Sequence, residues 1–517
     1  MLDQITYDEL PYTCSTMPYA QPDRLATLAS LFGMTPPPVP KSRVLELGCC
    51  NGSNIIATAH NLPEATCWGV DLSAQHIADG QALVEALGLQ NITLEHKNIL
   101  EVDERIGMFD YIIAHGIYSW VSPDVQEQIL SICKHHLTPN GVAYISYNTK
   151  PGWDIRSTVR DMMSYYTAQI TGSEAQTEQL KALLKFFADT TKEGQDAYSR
   201  FISEEIGNFN QLPESFLFQN FVKEECKPLY FHQFVEQARG HGLEYLGDAF
   251  LHTMLTDGFP APVAKSLHTL KNDLIHQEQM MDFLRNRRFR HTLLCHQDIS
   301  LNRALSADLI RNFYIASSLQ PVAQDSQTVQ KFGNVRGALT SDKPIIQAAL
   351  RYLAKQWPHA KPFTELVKQA NSGYLPNTQD QTAIAQVLFQ SYSRGLIELY
   401  SNSPQFITTV SQHPQTTNLV RWQAQRSQFV TNRRCEWIKI DNVVCLSLLP
   451  YLDGNHNHAA LVGLLRDWLK QGKFALNIKN QATNEPLTLT DEQERELLGK
   501  LLNDALRAIA QVALLVA

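Results

Sequence analysis

The stretch VLELGCCNGSN (Val44–Asn54) reads as a short apolar strand that runs through a glycine-framed turn into a helix. Glu46 stands at the end of the strand, and Gly48 and Gly52 frame the turn with the spacing E-x-G-x-x-x-G. Glycine at such points lets the backbone come close to a ligand and adopt conformations that a side chain forbids. The spacing departs from the G-x-G-x-x-G fingerprint of dinucleotide folds, because Cys50 occupies the place of its second glycine. Taken alone, the motif leaves open a glycine-rich strand–helix turn that binds nothing.

Outward from this turn, strand-like and helix-like stretches alternate. RVLELG, TCWGVDL, ITLEHKNI, FDYIIAHG and GVAYISYN are short apolar runs, while SNIIATAH, SAQHIADGQALVEALG and PDVQEQILSICKHHL carry helical periods. Such alternation predicts βαβ units and a largely parallel sheet. Runs this apolar belong to strands covered on both faces, so the expected fold is α/β, a Rossmann-like doubly wound sheet of five strands. Upstream lies a helical pattern, PDRLATLASLF, and then TPPPVP (Thr35–Pro40), whose prolines stop a helix and predict a hinge or linker. From Asp154 onward the pattern turns mostly helical, including YFHQFVEQARGHGL, closed by glycine, and IIQAALRYLAKQWPHAKPFTELVKQA. The segment RCEWIKIDNVVCLSLLPYLDGNHNHAALVGLLRDWLKQG reads as strand, helix, a turn at Asp453-Gly454, and helix, a winged-helix-like order.

The ligand is read from successive strand ends. Asp71, in GVDLS, follows Gly52 by nineteen residues, where a carboxylate can accept hydrogen bonds from both hydroxyls of a ribose. The alternative is a helix N-cap, a role that Ser73 fills equally well. One strand further, Asn98 stands where an adenine-reading side chain belongs, with Ile99 as an apolar wall. A ribose acid and an adenine contact beside a turn with no pyrophosphate cradle suit S-adenosylmethionine. The expected contacts to it are Glu46, Gly48, Cys49, Gly52, Asn54, Asp71, Leu72, Asn98, Ile99, His115 and Gly116. His115 either contacts this cofactor or ties down the loop AHGIYSWV (Ala114–Val121). The acceptor must approach past the fourth and fifth strands, so Tyr118, Asn148 and Tyr147 are the candidate catalytic residues, each with a hydrogen-bonding tip. For Tyr147 a core position is the alternative, for Trp120 an anchor within its own domain, and for Trp153 a seal on the linker. The loop has no DPPY-like or Pro-Cys motif, which argues against amide, exocyclic base-nitrogen or cytosine-carbon methylation.

The sequence resembles the class I methyltransferases that carry a methyltransferase regulatory domain, a group that includes the rickettsial protein lysine methyltransferases. The resemblance rests on PDRLATLASLFGM, RVLELGCCNGSNIIATA, FDYIIAHGIYSWV and GVAYISYNTKPGW. It continues through YFHQFVEQARGHGLEYLGDA, EQMMDFLRNRRFRHTLLCH, RWQAQRSQFVTNRRCEWIKID and LLPYLDG. It departs from the usual pattern at Cys50 and at FLFQNF, where Gln219 replaces a histidine. The resemblance implies methyl transfer to lysine side chains of a protein substrate, and a homodimer. The alternatives are a small-molecule O- or N-methyltransferase, or a catalytically weak cofactor-binding regulator. The expected division is an N-terminal arm and linker over 1–40, the S-adenosylmethionine-binding domain over 41–165, and a helical region with the regulatory domain over 166–297. A middle helical domain over 298–400 and a winged-helix-like domain over 401–517 follow.

Bulk properties agree with a multidomain globular chain: 517 residues, 44% hydrophobic and 19% charged. A net charge of −8 predicts no broad nucleic-acid footprint. The basic run RNRRFRH (Arg285–His291) is expected to be a solvated helix face, or else a docking patch for an acidic partner. Nine scattered cysteines without metal-type spacing fit reduced thiols in the cytoplasm, and no stretch is apolar for long enough to span a membrane. His456 and His458 form too small a set for a metal, so none is assigned.

Overall fold

The structure is a computed structural model that describes residues 14–170, 173–192, 194, 196–209, 226–323, 328–373, 377–476 and 490–517. The chain divides into two compact units. One comprises the described part of Met1–Ser15 with Pro22–Leu305 and Ser393–Gly395; the other comprises Thr16–Gln21, Ser306–Tyr392 and the described part of Leu396–Ala517.

In the first unit, helix α1 (Pro22–Leu31) buries Leu25, Ala26, Leu28, Ala29 and Leu31 and packs on the strand that ends at Asn148. The proline stretch after it is tied to the sheet rather than free to hinge. The Tyr111 hydroxyl donates to the Pro37 carbonyl at 2.7 Å, and Val39 is buried. Strands β1 (Arg43–Leu47), β2 (Thr66–Asp71), β3 (Ile92–His96), β4 (Phe109–Ala114) and β5 (Leu137–Asn148) pair in parallel. Between them run α2 (Ser53–Asn61), α3 (Ala74–Leu87) and α4 (Pro123–His136), close to the expected bounds. Strand β1 lies in the middle, so the chain leaves it toward both sheet edges, the arrangement that opens a ligand crevice at the carboxyl ends of the strands.

The expectation of five strands followed by a helical region is corrected. Helices α5 (Gly152–Thr167), α6 (Ser173–Thr191) and α7 (Ala197–Phe209) do follow, with a core that includes Val159, Met163, Leu180, Leu184, Ile202, Ile206 and Phe209. After α8 (Phe231–Gly240), however, β6 (Leu243–Asp248) enters the sheet. Past α9 (Ala261–His268) and α10 (Leu274–Arg285), β7 (Phe289–His296) enters antiparallel between β5 and β6. The order is β3-β2-β1-β4-β5-β7-β6. A boundary at residue 165 would therefore cut through one sheet. Leu45, Leu47, Ile112, Ile129, Cys133, Ile145 and Tyr147 share a core with Phe234 and Ala238 of α8, which binds this later region to the parallel strands.

The basic run is likewise no solvated face. The Arg290 guanidinium is fully buried and donates to Asp282 at 2.7 and 2.9 Å and to Glu278 at 2.9 Å. Arg287 pairs with buried Asp248 at 2.6 Å, and Arg288 pairs with Glu205. Buried guanidinium groups persist only when paired in this way.

The second unit holds two small antiparallel sheets, helices that include Pro344–Gln356 and Phe363–Ala370, and a C-terminal assembly of winged-helix type. In that assembly the hairpin Phe429–Thr431/Trp437–Lys439 accompanies helices Asn418–Ala424, Val443–Leu448, His458–Lys470 and Asp491–Gln511. Leu448, Leu461, Leu465, Leu498, Leu502 and Leu506 form its core. His456 is held by Asp453 at 3.0 Å and His458 by the Ser411 carbonyl at 3.0 Å, so both serve local loop structure.

Candidate cofactor and acceptor site

The turn after β1 is set by backbone bonds: the amides of Gly48 and Cys49 both donate to the Val70 carbonyl, at 2.9 and 3.0 Å. Gly48 and Gly52 have φ of +67° and +76°, and a Cβ on Gly48 would lie 2.6 Å from the Ile117 side chain. Both glycines are thus required by conformation, and Gly48 also by space. Cys50 adopts φ 55° without being glycine, and its amide donates to an Asp71 carboxylate oxygen at 2.7 Å. The other Asp71 oxygen accepts from the Ser73 amide at 2.9 Å, while the Ser73 hydroxyl caps α3. Asp71 therefore braces the turn and the start of α3, and its oxygens keep lone pairs for further donors.

Glu46 is 2% exposed. One of its oxygens accepts from the Asn54 side-chain amide at 3.1 Å, and the other, Oε2, is buried with no hydrogen-bond partner. Burial pushes its pKa up to about 8; the Asn54 amide opposes this and the Asp71 charge adds to it. Burial also raises the pKa of the neighbouring Cys49 thiol. A buried acid with an orphaned oxygen calls for a donor, ideally a cationic one. The ammonium of a bound methionine moiety fits that need. Leu72 is exposed at the end of β2, and its carbonyl meets His96 at 3.0 Å. Asn98 caps a short 3-10 turn through the Leu100 amide at 3.0 Å, and Ile99 lies partly buried against the core.

At the ends of β4 and β5 the structure separates the expected residues. Tyr118 and Tyr147 are each 1% exposed. Phe234 stacks on Tyr147 with ring centroids 4.2 Å apart and meets Tyr118 edge-on at 5.2 Å. The Tyr118 hydroxyl donates to Gln237 at 3.0 Å, and the Tyr147 hydroxyl accepts from Thr292 at 3.2 Å. Helix α8, more than a hundred residues downstream, thus supplies an apolar and hydrogen-bonding socket for Tyr118. Asn148 is also buried; its amide nitrogen donates to the Ser119 hydroxyl at 2.9 Å and its side chain to the Cys226 sulfur at 3.1 Å. Trp120 and Trp153 meet edge-on at 5.9 Å.

His115 instead joins a cluster that the sequence did not announce. Its Nδ1 lies 2.9 Å from the Tyr144 hydroxyl and 3.0 Å from the Ser146 hydroxyl, and the same tyrosine oxygen lies 2.7 Å from His291 Nδ1. The Gly116 amide donates to Ser146 at 2.8 Å. Burial drives the pKa of His115 down to about 3, with His291 adding to the effect, and burial drives His291 to about 4, so both rings are neutral near pH 7. Tyr144 sits inside a buried strand, and His291 reaches it only through β5–β7 pairing across a separation of 147 residues, so no local pattern pointed to either. Seven described cysteines are thiols as expected, but Cys14 and Cys50 are joined by a disulfide, which corrects the expectation of thiols throughout. Gln219 lies outside the described residues.

Comparison with known proteins agrees with this geometry. Family models match a methyltransferase domain at residues 44–141, the methyltransferase regulatory domain at 213–296, and the C-terminal winged helix domain of PKMT at 412–514. A protein of Rickettsia prowazekii is 34% identical over 99% of this chain and 94% of its own length. PKMT2 from Rickettsia typhi, solved in complex with AdoHcy, is 30% identical with a TM-score of 0.88 over 98% of this chain and 100% of that chain. The fold and its glycine turn define a class I methyltransferase that uses S-adenosylmethionine as its cofactor. The chain belongs to the family of Rickettsia typhi PKMT2, and it carries a methyltransferase domain, a methyltransferase regulatory domain and a PKMT winged helix domain in that order.

Proposed function

We propose that the protein methylates lysine side chains of a protein substrate in the cytoplasm, and that it works as a homodimer. The observation that carries this reading is the likeness to PKMT2 along the whole chain, winged helix included, since a small-molecule methyltransferase needs no such second unit. Among the described residues no helix is long and apolar enough to cross a membrane, and the net charge of −8 gives no reason to expect nucleic acid.

In this reading Glu46, Gly48, Cys49, Gly52 and Asn54 hold the methionine end of the cofactor, Asp71 and Leu72 its ribose, and Asn98 and Ile99 its adenine. Bound S-adenosylmethionine supplies an electrophilic methyl carbon. The protein's task is then to align the acceptor and keep water out. A lysine ammonium, with an ordinary pKa near 10.4, must lose a proton before it can attack. A neutral His115 beside Gly116 offers the approaching amine a hydrogen-bond partner without repelling it, as imidazolium would. Desolvation against the rings of Phe289 and His291 favours the neutral amine. Tyr118, Tyr147 and Asn148 act as positioning residues that fix the loop and the strand end.

Incubating the full-length enzyme and isotopically labelled S-adenosylmethionine with a host lysate tests this directly. Label on lysine residues of one or a few proteins is expected by mass spectrometry. Turnover with label found only on small molecules would overturn it.

A further inference from the structure

The Cys14–Cys50 pair belongs to a larger set. Cys14 lies at the described start of the arm, Cys50 in the turn after β1, and His76 in the first turn of α3. One ligand atom from each lies within 4.8 Å of the other two. His76 is 4% exposed, and its Nε2 is buried with no hydrogen-bond partner. A disulfide gives a buried ring nitrogen nothing to bind, so the sulfur pairing leaves His76 unexplained. Cys50 also holds a left-handed conformation that glycine would adopt without strain, and this points to a use for its side chain. The frame between the turn and α3 is rigid. The Cys50 amide bonds Asp71 at 2.7 Å, and a Cβ on Gly80, one turn beyond His76, would lie 2.5 Å from the Asn51 carbonyl.

We propose that, with the disulfide reduced, Cys14, Cys50 and His76 form a zinc site that fastens the N-terminal arm to the cofactor-binding turn. Two thiolates and an imidazole are the ligand types zinc prefers, at about 2.3 Å for sulfur and 2.0–2.1 Å for nitrogen, with a fourth position left for water. The Cα atoms of the two cysteines are 6.3 Å apart, and both residues are half-buried, so an ion can enter. The nearby Asp71 carboxylate favours a cation, and reduction supplies the thiols. Two equivalents of a monothiol donate two electrons and two protons, leave as their own disulfide, and yield the Cys14 and Cys50 thiols. Zinc then displaces both thiol protons, which appear in solution.

The test uses full-length protein reduced and freed of reductant, titrated with zinc alone against a chromophoric chelator. One equivalent should bind with release of protons, and X-ray absorption should show two sulfur ligands and one histidine nitrogen. Cys14→Ser and His76→Asn should each weaken binding at least tenfold, while Cys133→Ser should leave it unchanged. Far-ultraviolet circular dichroism checks that each variant is folded. Cys14→Ser lies in the arm, outside the sheet, so it decides the matter even if His76→Asn does not fold. Reduced wild-type protein that takes up no zinc, or a folded Cys14→Ser that binds zinc as tightly as wild type, would overturn the proposal and leave a disulfide only.

Discussion

Glu46 keeps a carboxyl group buried beside the turn, and its behaviour with pH follows from that position. An unfolded glutamate titrates near 4.3, whereas the folded residue titrates at about 8, so between these values the folded state holds the extra proton. Stability without cofactor should therefore be fully expressed below about pH 4 and fall as pH rises toward 8. Glu46→Gln should flatten this slope, by on the order of a few kcal/mol at the alkaline end. Urea unfolding near pH 5.5 and pH 8 checks it; equal slopes for wild type and variant would refute the assignment. A cationic group set against Oε2 favours the carboxylate, so cofactor affinity should rise with pH through the same window. Asp71 is the second test at this scale. Asp71→Ala should weaken S-adenosylmethionine binding by about 1.5–3 kcal/mol for each charge-assisted hydrogen bond lost. Because Asp71 also braces the Cys50 amide, calorimetry should be paired with a melting curve. Unchanged affinity in a folded variant would remove Asp71 from the ribose role.

Between β4 and α4 the loop is held at two points that do different work. Tyr118 anchors it into the core at Gln237, and His115 meets Tyr144 and Ser146 at its start. Tyr118→Phe should leave Gln237 short of a donor and cost about 1 kcal/mol of stability, and it should slow methyl transfer only modestly because the ring still packs and holds the loop. His115→Phe should slow transfer about tenfold or more while donor affinity stays within about twofold, the pattern of a lost acceptor or transition-state contact. The reverse pattern in initial rates and calorimetry would place the acceptor elsewhere. This loop also shows why the site was only half legible. Glu46, Gly48, Gly52 and Asp71 lie in one βαβ unit whose spacing local rules describe. The sockets of Tyr118 and His115 are built by α8 and β7, which the sequence brings in more than a hundred residues later. The acidic partners of the run Arg285–His291 lie nearer, Asp282 and Glu278 at 8 and 12 residues from Arg290, and Asp248 and Glu205 at 39 and 83 from Arg287 and Arg288, but only the folded chain turns them toward it.

For the whole molecule, the five parallel strands were plain because most are near-continuous apolar runs that alternate with helical periods, while β6 and β7 were missed. Strand β6 ends in the buried charge of Asp248, and Arg290 interrupts β7, so neither shows the pattern of a buried strand until the ion pairs are known. The boundary this implied at residue 165 can be tested. A fragment ending there leaves residues 143–148 of β5 without their β7 partners and should aggregate or stay unfolded, whereas one ending at Leu305 keeps all seven strands and should melt cooperatively. A cooperative melt of the shorter fragment would restore the earlier boundary. The late arrival of β7 also bears on synthesis. Roughly 140 residues separate Asn148 from Phe289, which at roughly 5–20 residues per second amounts to about 7–28 s of elongation. For that time the nascent chain carries a finished cofactor-binding half whose β5 edge lacks its neighbour. A ribosome stalled between these points would display that edge to other nascent chains and to chaperones, and its release would let β7 close the sheet.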